Sequence, residues 1–138
     1  MMENKKLEKF ISNISEITAT GDYAMTFFPG ATDTEISSFE KEKGIVFPNL
    51  VSQWLRFSDG CCLFDTVITF YGIAHGRRIS RQDDEYICIG VFNYGDSVCV
   101  KSGSEKIYLC GETIIEYADF NDLLALVIEI GTGDDANG

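Results

Sequence analysis

The chain has 138 residues, 45% hydrophobic and 24% charged, enough apolar material for one buried core and too much for a disordered chain. Its net charge of −11 is unevenly placed: residues 1–82 hold ten acidic and nine basic side chains, whereas residues 83–138 hold twelve acidic ones against only Lys101 and Lys106. That field repels nucleic acid and anionic membrane, so neither is expected as a partner, and it steers basic partners to the second half; a purely solubilising charge is the simpler alternative. The stretch from Met1 to Lys9 lacks the apolar core of a signal peptide, and no apolar run approaches the roughly twenty residues that span a bilayer. The five cysteines, an odd number, point to reduced thiols in the cytosol rather than a disulfide framework. The expected location is cytoplasmic.

In chain order, Leu7, Phe10, Ile11, Ile14 and Ile17 follow helical spacing and predict a helix over Lys5 to Ala19. Tyr23 to Pro29 is an apolar connector. Thr32 and Glu35 form a capping box for a helix carrying Ile36 and Phe39, and Gly44 ends it in the left-handed conformation. Pro48 restarts a helix in its first turn, Leu50, Val51, Trp54 and Leu55 give it one apolar face, and Asp59 and Gly60 break it into a turn.

The periodicity then changes to alternation. Strands are expected at 63–64 and 67–71, followed by a polar loop from Gly72 to Glu85 that contains Arg77, Arg78 and Arg81. Strands at 86–92, 97–101 and 106–110, with turn chemistry at 93–96 and 102–105, make an antiparallel meander closed by a short strand at 113–116. Asp119 caps a last helix through Ile130, which Gly131 ends, and residues 132–138 form a frayed tail. The whole predicts one α+β domain over residues 1–131: a central, mostly antiparallel sheet packed by N-terminal helices and a C-terminal helix.

Alternation places Ile87, Ile89, Val91, Val98, Val100, Ile107 and Leu109 on the face that covers the helices. Tyr86, Cys88, Phe92, Cys99, Tyr108 and Cys110 share the other face. That second face is open to three readings: a buried surface covered by the Gly72 to Glu85 loop or by a terminus, a partner-binding surface, or a metal site on Cys88, Cys99 and Cys110. No Cys-x-x-Cys or Cys/His pair supports the metal. The single histidine, His75, sits in a loop with no nucleophile signature nearby. Cys61 and Cys62 point in opposite directions and match no redox motif, and no phosphate-binding glycine loop or EF-hand pattern occurs. Neither catalysis, cofactor nor metal is expected.

The order and spacing of these elements resemble the SUKH superfamily, which includes bacterial toxin-immunity proteins and a fungal regulator of cell-wall synthesis. The resemblance rests on the acidic helix Glu35 to Gly44, Phe47-Pro48, Trp54-Leu55 and the turn Asp59-Gly60-Cys61. Gly95-Asp96, the strand Lys106 to Cys110 and the Phe120 to Leu124 helix continue it, so that it spans residues 23–131. The sequence departs from the family pattern at Val51, where an aromatic is common, at Asp59 for Asn, and at Cys61 for a second Gly. The resemblance implies an α+β fold and a binding function without catalysis: an immunity protein that occludes a cognate toxin, often a nuclease, or an interaction module in a regulatory or cell-wall signalling assembly. Charge asymmetry and strand parity, not the resemblance, select the expected contacts. Asp83, Asp84, Glu85, Asp96, Glu112 and Glu116 supply charge for a basic toxin domain, and Tyr86, Tyr94 and Tyr108 supply anchors.

Overall fold

The amphipathic repeat that opens the chain forms α1 (Lys5–Thr20), which buries Leu7 and Ile14 and packs on the last helix. The computed structural model describes residues 5–74 and 78–133. The apolar connector holds a two-residue strand, β1 (Thr26–Phe27). The helix α2 (Asp33–Lys43) follows with the expected capping box: Glu35 N–H donates to Thr32 Oγ1 at 3.1 Å, and Thr32 N–H donates to Glu35 Oε1 at 2.9 Å. Gly44 ends it at φ 68°, a conformation that costs a residue with a Cβ far more than glycine.

Pro48 stands one position earlier than expected. It is the cap residue of α3 (Asn49–Phe57), with φ −53° and ψ 143°, and not part of its first turn. Proline has no side-chain oxygen to accept from the helix, so the acceptor comes from elsewhere: Asn49 N–H donates to the Glu105 carboxylate at 2.7 Å. Leu50, Val51, Trp54 and Leu55 are buried as a single face.

The strands are β2 (Cys61–Leu63), β3 (Ile68–Phe70), β4 (Ser80–Arg81), β5 (Ile87–Phe92), β6 (Ser97–Val100), β7 (Ile107–Cys110) and β8 (Ile114–Tyr117). They form one sheet in the order β1-β2-β3-β5-β6-β7-β8 with every strand pair antiparallel, and β4 pairs with the start of β5. Two expectations change here. Phe64, expected in a strand, sits with Asp65 in the β2–β3 turn, both at positive φ. The stretch expected to be only loop contributes β4, whose Ser80 and Arg81 face Cys88 and Ile87.

The meander itself is as expected except for one bulge. Cys88 pairs with Cys99 but Gly90 pairs with Val98, so Ile89 is the extra residue and parity reverses beyond it. Phe92 therefore joins the helix-side face and is 1% exposed, while Val91 moves to the opposite face, the reverse of the expectation. Strict alternation cannot register an inserted residue.

The last helix, α4 (Phe120–Thr132), begins at the expected cap: Asp122 N–H donates to Asp119 Oδ1 at 3.2 Å. It runs past Gly131 and ends at Gly133, φ 72°. Gly131 is there for space, because a Cβ at that position would stand 2.2 Å from the Phe64 ring. Thr132 and Gly133 thus belong to the helix end and its cap, not to a tail; the rest of the expected tail, like His75 and Arg77, lies outside the described residues. No helix of the described residues is long and apolar enough to cross a membrane.

Trp54 of α3 meets Phe70 of β3 at 5.5 Å and Phe120 of α4 at 5.6 Å, and these two rings meet at 5.6 Å. Trp54→Ala should therefore lower unfolding free energy by about 3–5 kcal/mol in a denaturant melt. Glu105→Ala, which removes only the acceptor at the start of α3, should cost about 1 kcal/mol.

Candidate partner-binding surface

The acidic segment before β5 is a tight turn built on Asp83. Its Oδ1 accepts from Glu85 N–H at 2.8 Å and from Tyr86 N–H at 2.9 Å, while Gln82 N–H donates to Tyr86 O at 2.8 Å. The donation from Tyr86 N–H, then that from Glu85, holds the Asp83 carboxyl below its ordinary value. Asp84 and Glu85 are exposed on this turn, and Glu85 reaches Lys101 Nζ at 3.0 Å. Lys101 also lies over two rings, 5.3 Å from the centroid of Tyr86 and 4.9 Å from that of Tyr108, which meet edge to face at 5.5 Å. Its hydrogen bond to Glu85 is the main cause that holds the ammonium pKa above its ordinary value.

Tyr108 is only 7% exposed. Its place is beneath Tyr86 and Lys101 as their support, not at the surface as an anchor. The second face is therefore covered at its centre. Cys99 is fully buried and lies directly across from Cys88, and its thiol approaches the side-chain oxygen of Gln82 at 3.6 Å. Hydrogen bonding with Cys88, then burial, pushes the Cys99 thiol well above its ordinary pKa. A thiol so disposed is a poor nucleophile. Cys61 is raised too, mainly by burial on the helix side, whereas Cys62 faces the other way, 3.6 Å from Thr69 Oγ1. All five cysteines are free, and among the described residues no group of three or more His, Cys, Asp or Glu side chains is arranged to hold a metal ion.

Of the remaining expected contacts, Tyr94, Asp96 and Glu112 lie at the other end of the strands. Tyr94, 56% exposed, stacks on Phe92 at 5.2 Å in the β5–β6 turn. The half-buried Asp96 carboxylate fills the space that a Cβ at Gly111 would take, and Glu112 is exposed beside it in the β7–β8 turn. Glu116 stands in β8 opposite Tyr108 and pairs with Lys106 at 2.8 Å. The structure thus collects Asp83, Asp84, Glu85, Tyr86, Tyr108 and Glu116 at one end, and Tyr94, Asp96 and Glu112 at the other. The six residues of β5 separate the two groups by about 20 Å.

Lys101 was not singled out by the sequence, although strand parity puts it on the Tyr86 face. Asp59, read from the sequence only as part of a turn, gains a further role here. Buried at the position where the family pattern has Asn, it accepts from Ile73 N–H at 2.6 Å and Ala74 N–H at 3.0 Å, and so fixes the chain that leaves β3.

A capped helical corner, an antiparallel meander and a closing helix, in that order, define an α+β domain of the SUKH superfamily, whose members are protein-interacting domains. The chain belongs to the SMI1 / KNR4 family (SUKH-1), whose model matches residues 30–126, from the approach to α2 into α4. No curated protein and no solved structure matches it.

Because the folded Asp83 carboxyl titrates below its unfolded value of about 3.9, the turn is fully held above that pH and is released as pH falls through the lower folded value. In an NMR titration the Glu85 and Tyr86 amides should keep their neutral-pH shifts down to about pH 4 and move only below it. Asp83→Ala should give the released shifts at neutral pH.

Proposed function

We propose that this chain is a non-catalytic cytoplasmic protein of a bacterium, an immunity protein that binds a cognate basic toxin and neutralises it by occlusion with the acidic half of the sheet. The observation that carries the reading is the state of the two cations beyond residue 82. Lys101 pairs with Glu85 and Lys106 with Glu116, so against twelve acidic side chains in that half neither cation is left to offset the remainder. A predominantly acidic field on the sheet, offset in part at the Asp83 turn by Arg81, whose guanidinium donates to Asp84 O at 3.3 Å, imitates the polyanion a nuclease recognises and speeds encounter with its basic site. Tyr86 and Tyr94 supply aromatic contact at either end. A regulatory interaction module, the other role the family resemblance implies, uses the same surface on a different partner.

Affinity capture from the native cell with mass spectrometry identifies the partner. The expected result is a basic toxin domain whose activity is lost on binding. Replacing Asp84 and Glu112 together by Lys should slow association with it by about tenfold or more at low salt and leave the unfolding midpoint nearly unchanged. Capture of a non-toxin partner, or full protection by the double variant with unchanged kinetics, contradicts the proposal.

A further inference from the structure

The sheet ends on β8, and among the described residues nothing pairs with its outer side. Gly111 N–H donates to Thr113 O at 3.0 Å, which makes that pair a hydrogen-bonded one and sets the phase of the ladder beyond it. Bonded and non-bonded pairs alternate along an antiparallel ladder, so Leu109/Ile115 and Ile107/Tyr117 are bonded pairs. The backbone N–H and C=O groups of Ile114 and Glu116 consequently point away from β7, at the open edge. Natural edges are blunted by lysine, proline or a bulge. This one has none of them, and it displays Ile114 at 55% and Ile115 at 48% exposure on alternate faces.

The charge around the edge is mostly negative, with Lys106 engaged by Glu116 at 2.8 Å. No basic residue occurs after Lys106, while Glu112, Glu116 and Asp119 lie in or next to the strand. Two copies of β8 laid edge to edge would bring these carboxylates within roughly 8 Å of one another, a distance at which they are poorly screened. The same carboxylates complement a cationic strand.

We infer that β8 is the acceptor for an extended, basic segment of the protein partner, which adds as a further strand, its main chain bonded to Ile114 and Glu116 and its lysines or arginines beside Glu112 and Asp119. Affinity in this mode comes from backbone hydrogen bonds and selectivity from side chains at alternate positions. The inference rests on the proposal of a basic partner and specifies how that partner attaches.

The test uses the intact protein and a synthetic peptide of about ten residues that alternates lysine with valine, a length that fills one strand. On binding, the Ile114 and Glu116 amides should exchange more slowly, with those of Ile115 and Tyr117 little changed. Ile114→Pro removes an outward donor without touching a β7–β8 hydrogen bond, so it should weaken the peptide by about tenfold relative to Ile114→Ala. The unfolding midpoint checks that the proline variant is folded, and the exchange pattern of the unsubstituted protein decides the matter if it is not. Salt-sensitive binding with no protection at Ile114 and Glu116 overturns strand addition while leaving the acidic-surface reading intact, and no binding overturns it as well. Protection already present in the protein alone also overturns it: concentration dependence would assign the edge to a second copy, and independence to a segment of this chain.

Discussion

The contact among Trp54, Phe70 and Phe120 is the constraint on which the rest of the structure depends. Each ring comes from a different element, one in the helical corner, one in the centre of the sheet and one in the first turn of α4. Aromatic rings of this size dominate the burial of a small core, and edge-to-face geometry adds direction to it. Once the triangle forms, the corner cannot rotate on the sheet and α4 has one place to start. α1 then has a fixed surface to cover, because its packing is against α4.

A second set of bonds ties the corner to the meander from outside the core. Gly103 N–H donates to Val46 O at 3.0 Å, Val46 N–H to Ser102 Oγ at 2.8 Å, and Asn49 N–H to the Glu105 carboxylate. The turn between β6 and β7 is thus a clamp on the start of α3. Glu105 is one of the twelve acidic residues of the second half, yet its charge is used at the positive end of a helix rather than toward a partner. Charge counted along a sequence overstates the charge a surface can offer.

The corner was legible because its signals are local. A cap answers a residue three positions away, a left-handed stop needs one glycine, and a helix face repeats over two turns. The meander was legible for the same reason, since turns and alternation are short-range patterns. What could not be read depends on partners distant in sequence. Nothing around Pro48 announces that Glu105 will cap its helix, and nothing around Gly131 announces Phe64. The bulge at Ile89 is a one-residue insertion that reversed the faces of Val91 and Phe92. At the site, parity correctly joined Tyr86 to Tyr108 but did not reveal that one would cover the other. The separation of Tyr94, Asp96 and Glu112 from the Asp83 turn follows from strand direction, and a charge count contains no direction.

Stability and exposed surface are divided between the two sides of the sheet. The helix side holds the aromatic triangle and the fully buried Leu63, Ile68 and Val98. Around the buried centre of the outer side, its rim and the β8 edge hold residues whose burial is partial or whose charge is balanced by a single ion pair, each of which contributes little to folding. An exposed isoleucine pair on an unprotected edge favours association with any chain that can extend a strand. Net charge biases that tendency selectively: it opposes acidic chains, including a second copy, leaves neutral ones unaffected and favours basic ones. The −11 charge and the open edge are on this account parts of one device, because the edge without the charge would be indiscriminate and the charge without the edge would hold a partner only loosely.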